Sequence, residues 1–163
     1  MIENLKKENI LTDYGQSNLK DIKFLENSQL IKLPANYINF ILLHNGATLI
    51  KDIFDYNDPN SVNGRNADGI VFNCIEEIPH IIETLKLDED PDWDDMYKFE
   101  DGLIPFGDNG GGDMICFDYR KDRTIDDPPI VIWNHDMGLE HRIVFIANNF
   151  EEFINMLHKC EDI

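Results

Sequence analysis

Two stretches of the chain carry residue types that hold cations or phosphates, and its three cysteines and five histidines carry the types used for nucleophilic and metal chemistry. In "GDNGGGD" (107–113), three consecutive glycines sit between carboxylates. A phosphate-binding loop of the Walker kind needs a lysine and a Ser/Thr after its glycines, so that backbone amides and an ammonium meet the phosphates. Neither follows here, and Asp108 and Asp113 would repel a phosphate at close range. A calcium loop presents oxygens at its first, third and fifth positions. Counted from Asp108, the third and fifth positions are Gly110 and Gly112, which offer no side chain. What the glycines supply is positive φ and close backbone approach at a corner entering the apolar run that follows.

"DEDPDWDD" (88–95) comes nearer to a calcium loop, with Asp88, Asp90 and Asp92 at alternate positions. The sixth position, where the sharp turn wants glycine, is Trp93, and the twelfth, where a bidentate glutamate belongs, is Phe99. The stretch is therefore read as acidic surface with an aromatic ring embedded in it, a composition that suits a protein interface. A second reading stays open: Trp93, Met96 and Phe99 share helical spacing and would dock a short helix onto the core. Cys74 and Cys116 lie in strand-like runs with no neighbouring base in sequence, so spatial partners alone would activate them. The His135–Asp136 dipeptide is found in metal-dependent phosphohydrolases, but two residues do not make a site. His44, His80, His141 and His158 show no metal-ligand spacing, and His44, before Gly46, reads as a helix C-cap partner. No catalytic residue, metal ligand or cofactor is assigned.

Charge is the strongest compositional signal, at −18 overall. Residues 1–51 carry six basic and five acidic side chains, net +1, whereas residues 52–163 carry eight and 27, net −19. Such a field repels nucleic acid and anionic lipid and steers basic partners inward, although solubility alone also accounts for an acidic surface. The densest run is 88–101, with eight acidic residues in fourteen. Its candidate partner-binding residues are Asp88, Glu89, Asp90, Asp92, Trp93, Asp94, Asp95, Glu100 and Asp101. No stretch approaches the roughly 18 apolar residues of a membrane span, and the first residues show no secretory h-region. With an odd, widely spaced set of cysteines, the expectation is a cytoplasmic protein with reduced thiols.

The elements that would position these residues follow from periodicity. Residues 1–16 read as a polar lead-in to a single domain spanning 1–163. Ser17 or Asn18 would cap a helix burying Leu19, Ile22 and Leu25. A second helix runs from Pro34 towards Gly46, with Tyr37, Ile38, Ile41 and Leu42 as its stripe. "TLIKDIF" (48–54) and "GIVFNCI" (69–75) read as strands around a turn-rich segment, 55–67. Pro79 opens a helix with Ile78, Ile81, Ile82 and Leu85 on one face. "LIPF" (103–106), "MICFDY" (114–119), "PIVIW" (129–133) and "RIVFIA" (142–147) supply further strands. Asn149 with Glu152 starts a last helix that buries Phe150, Phe153, Ile154 and Leu157. Helices gather at the two ends and no βαβ alternation appears, which is an α+β pattern.

Four of these segments together resemble the SUKH superfamily. "LPANYINFILLHNGA" (33–47) is similar to its opening LP…NG signature, and "IPFGDNGGGDMICFDYR" (104–120) to its central GGD strand entry. "PPIVIWNHD" (128–136) and "NNFEEFINML" (148–157) are similar to its following W-x-H-D strand and closing helix. The resemblance implies an α+β fold with a mixed, largely antiparallel sheet flanked by N- and C-terminal helices, and it implies no catalytic residues. It also implies a role: bacterial members neutralise secreted polymorphic toxins, often nucleases, and fungal members regulate cell-wall synthesis. The expected partner is a cognate, basic toxin domain whose active site is occluded, with no direct contact to nucleic acid or membrane. The alternative is a non-enzymatic binding scaffold in regulation or cell-envelope signalling, with a hydrolase a distant third. Segments 55–67 and 88–101 match no shared pattern, which is where partner choice could reside.

Overall fold

The computed structural model describes residues 2–87, 99–138 and 141–161. Its seven strands are β1 (Ile10–Thr12), β2 (Thr48–Asn57), β3 (Arg65–Phe72), β4 (Leu103–Asp108), β5 (Met114–Asp118), β6 (Ile130–Trp133) and β7 (Ile143–Ala147). They form one sheet in sequential order, antiparallel at every pairing. Four helices accompany them: α1 (Leu19–Gln29), α2 (Ala35–Leu43), α3 (Ile78–Leu87) and α4 (Phe150–Asn155). The α+β class is as expected, but no parallel pairing occurs among the described residues. Even where helices intervene, between β1 and β2 and between β3 and β4, the chain returns antiparallel beside the preceding strand, so no parallel crossover is made.

Local chemistry explains the helix ends. The Asn18 side chain accepts from the Asp21 amide at 3.0 Å, and that of Asn149 from the Glu152 amide at 2.8 Å. Each satisfies an amide that the first helical turn leaves without a carbonyl. The closing helix buries Phe150, Phe153 and Ile154, with Leu157 beyond its end, as its spacing requires. In α1 the expected stripe is only partly right: Ile22 and Leu25 are buried, whereas Leu19 at the first turn faces solvent.

One face of the sheet holds an aromatic core. Phe106 stacks on Phe117 with centroids 4.2 Å apart, Tyr37 of α2 meets Phe117 at 5.0 Å, and Phe153 of α4 meets Phe54 at 5.3 Å. On the opposite face, one register row crosses the whole sheet through Thr12, Thr48, Val71, Asp108, Met114, Trp133 and Ile143. Antiparallel partners point the same way, so these seven side chains share a side.

Two sequence expectations are corrected here. The segment read as a polar lead-in is part of the fold: Leu5 and Asn4 are buried, and β1 pairs with β2. The buried Asn4 amide donates to the Ile154 carbonyl at 2.8 Å, so a polar residue does the anchoring. The segment 55–67 is not all turn, since β2 runs to Asn57 and β3 starts at Arg65. Both strands extend past their pairing with β4; Phe54 and Tyr56 are buried on β2, but the Asn, Asp and Gly residues around them mask that alternation in the sequence.

Candidate functional site

The glycine corner is a latch. Gly110 and Gly112 have φ of +81° and +101°, the left-handed region expected of them. Asn109 organises the loop, its Oδ1 accepting from the amides of Gly111 (3.0 Å) and Asp113 (3.2 Å). Its Nδ2 donates to Asp68 and to Asp113, each at 3.1 Å. Asp113 Oδ1 then accepts from His135, from the backbone amide at 3.0 Å and from Nδ1 at 2.7 Å. A Cβ at Gly112 would lie 3.1 Å from that imidazole, so a side chain there would crowd the ring and also carry the strain of a positive φ. The GGD and H-D stretches that carry the family resemblance are thereby one tertiary contact.

Asp113, His135 and Asp136 bring their ligand atoms within 4.8 Å of one another, so these are the described residues able to approach a cation together. Asp113 is already committed to two His135 donors and Asn109, and a cation would compete with all three. The two thiols in apolar runs are poor nucleophiles. Burial pushes Cys74 up to about 11, with Glu76 and Glu77 adding to the effect, and burial raises Cys116 well above the thiol range. Neither is a thiolate near neutral pH.

The candidate partner-binding residues divide. Asp88, Glu89, Asp90, Asp92, Trp93, Asp94 and Asp95 lie outside the described residues. Of the three sharing helical spacing, Phe99 is described: it is buried edge-on against Trp133, centroids 5.2 Å apart. Glu100 pairs with Arg142 at 2.7 Å and Arg120 at 2.9 Å, and Arg142 is only 3% exposed. Burial acts to raise the Glu100 carboxyl, but hydrogen bonds from Arg142 and Arg120 outweigh it and hold the group below its ordinary value. Arg120 also grips Asp118 at 2.8 Å. Asp101 pairs with Lys86 at 2.9 Å and Arg123 at 2.7 Å. Both described carboxylates of the acidic run thus have cationic partners within the chain.

Sequence reading missed a second acidic feature. A groove of about 560 Å³ opens on the other half of the same sheet face, lined by Thr48, Val71 and Asp108 of the cross-sheet row. Asp13, Tyr14, Glu76 and Glu77 complete its walls, and none of the residues lining it is basic. Asn45 builds the site: its Nδ2 donates to Glu76 at 2.7 Å, and its Oδ1 accepts from the Ile75 amide at 2.9 Å. Gly46 has φ +60°, and a Cβ there would come within 2.5 Å of Cys74 Sγ and 2.7 Å of the Tyr14 ring. His44 caps α2 as expected, its amide donating to the Phe40 carbonyl at 2.9 Å, and it also sets the rim, its Nδ1 meeting Asp13 Oδ2 at 2.7 Å. The His44 bond is the main reason why Asp13 sits below the ordinary carboxylate range. The signal available in sequence was the "HNGA" stretch, whose Asn-Gly pair turns out to shape the groove.

No curated protein matches the chain. At the level of families, residues 17–156 match the SMI1 / KNR4 family (SUKH-1). That span takes in the asparagine–glycine groove wall, the latch and the closing helix, and on this match the chain belongs to the SUKH-1 family.

Proposed function

We propose that the chain is an immunity protein that binds a cognate toxin domain and covers its active site, the toxin being a nuclease. The observation that carries this reading is a net −19 over residues 52–163 in a member of a protein-binding family. A nuclease holds phosphates and needs a basic cleft, and an acidic surface competes with nucleic acid for those Lys and Arg side chains. The elevated Cys74 and Cys116 thiols fit a role without nucleophilic chemistry. The acidic stretch 88–101, through Asp92, Asp94 and Asp95, contributes to the face presented to the toxin. The protein acts in the cytoplasm, where the toxin's target lies.

Co-expression with a nuclease toxin domain sought in the gene neighbourhood tests this. Growth should be rescued, the two proteins should co-purify, and added salt should weaken the complex. A chain that binds the domain without blocking its activity is a regulatory scaffold, and one that neither binds nor rescues has another function.

A further inference from the structure

We propose, building on the immunity reading above, that the groove beside Tyr14 receives an arginine side chain of the protein partner. The walls offer what a guanidinium needs and an ammonium uses less well. Tyr14 is 80% exposed at the mouth, an aromatic face on which a planar cation can stack. Val71, 41% exposed on the floor, provides apolar surface for the aliphatic stem. Glu76 is aimed by Asn45, and the carboxylate of Glu77 has no partner among the described residues. No lysine, arginine or histidine lines the groove to neutralise them. The negative potential also acts on a reporter inside the wall, since Glu76 and Glu77 add to the burial that raises Cys74. The walls are fixed in advance: the Tyr14 amide donates to the Asn45 carbonyl at 2.9 Å, and the Asn45 amide to the Gly15 carbonyl at 2.9 Å. A preformed groove loses little freedom on binding.

The experiment titrates the full chain with acetyl-Gly-Arg-Gly-amide, followed by amide NMR, alongside the lysine and citrulline counterparts. Saturable shifts at Tyr14, Cys74 and Glu77 are expected, weaker with lysine and absent with citrulline. Tyr14→Ala and Glu77→Gln, both at exposed positions, should each weaken the arginine peptide about tenfold. Shifts scattered over the acidic surface without saturation would overturn the proposal, as would unchanged affinity in both variants. In the toxin complex, the same two variants should bind about tenfold more weakly; unchanged affinity there excludes the groove as the contact. Failure of the wild-type chain to rescue a toxin-bearing cell counts against the immunity reading alone, because the peptide titration judges the groove without any toxin.

Discussion

The two halves of the open sheet face use the same residue types to opposite ends. Towards β5–β7, Glu100 and Asp118 are gripped by Arg142 and Arg120 over a floor closed by Phe99 and Trp133. Towards β1–β4, Asp13, Glu76, Glu77 and Asp108 surround an open groove that no basic side chain lines. On the first side negative charge is consumed within the molecule and holds a segment down. On the second, apart from the bond between Asp13 and His44 at the rim, it is projected outward. Density of Asp and Glu along the sequence therefore says little about where the field is felt: compensation decides it, and compensation is tertiary.

The largest effect expected is on the compensated side. Glu100→Gln removes a carboxylate that pairs with buried Arg142, and should cost about 2–3 kcal/mol in denaturant unfolding, less than a fully buried pair because Glu100 is partly exposed. A change below about 0.5 kcal/mol would mean that this pairing holds nothing down. Next comes Gly46→Ala on the groove side, where positive φ and contacts at 2.5 and 2.7 Å should cost about 1–2 kcal/mol. Its amide shifts at Tyr14 and Cys74 should move together, and unmoved shifts would show that Gly46 does not set the groove's width.

Glu77→Gln should change stability by less than about 0.5 kcal/mol, since the group is exposed. It should nonetheless lower the Cys74 thiol from about 11, read from the pH dependence of its alkylation. An unchanged profile would remove the claim that Glu77's charge is felt inside the wall. The smallest effect is at His158, which is raised first by its bond to the Lys159 carbonyl and then by Asp55. A raised imidazole contributes stability that is complete in acid and lost as pH rises through its folded value. Protection of the His158 amide, bonded to the Ile53 carbonyl at 2.9 Å, should therefore decline across that range. Asp55→Asn should bring the imidazole only part of the way down, because the backbone bond remains.

Much of the scaffold is legible in sequence where periodicity and capping agree. Asn149 with Glu152, and the run from Phe150 to Leu157, specify α4 outright, and "MICFDY" and "PIVIW" announce buried strands. The strand β1 is not legible, because its three residues, one half-buried and two exposed, carry no alternation and gain their place by pairing with β2. The site is less readable still. Asp113 and His135 lie 22 positions apart, and nothing near either residue predicts their bond. Arg142 reads as an ordinary charge before an apolar run, yet it is 3% exposed. The groove takes Asp13, Asn45, Glu76 and Asp108 from four separate segments, so it exists only after the sheet has assembled.

Both ends of the described chain lie along the same outer edge of β2: β1 pairs at Leu49 and Thr48, and His158 bridges Ile53. An uncovered edge presents unpaired amides and carbonyls to any extended chain it meets. The two tails therefore cover part of that edge, and trimming either one should open it to self-association. Carboxypeptidase removal of residues 158–163 should leave the aromatic core intact while light scattering climbs with protein concentration.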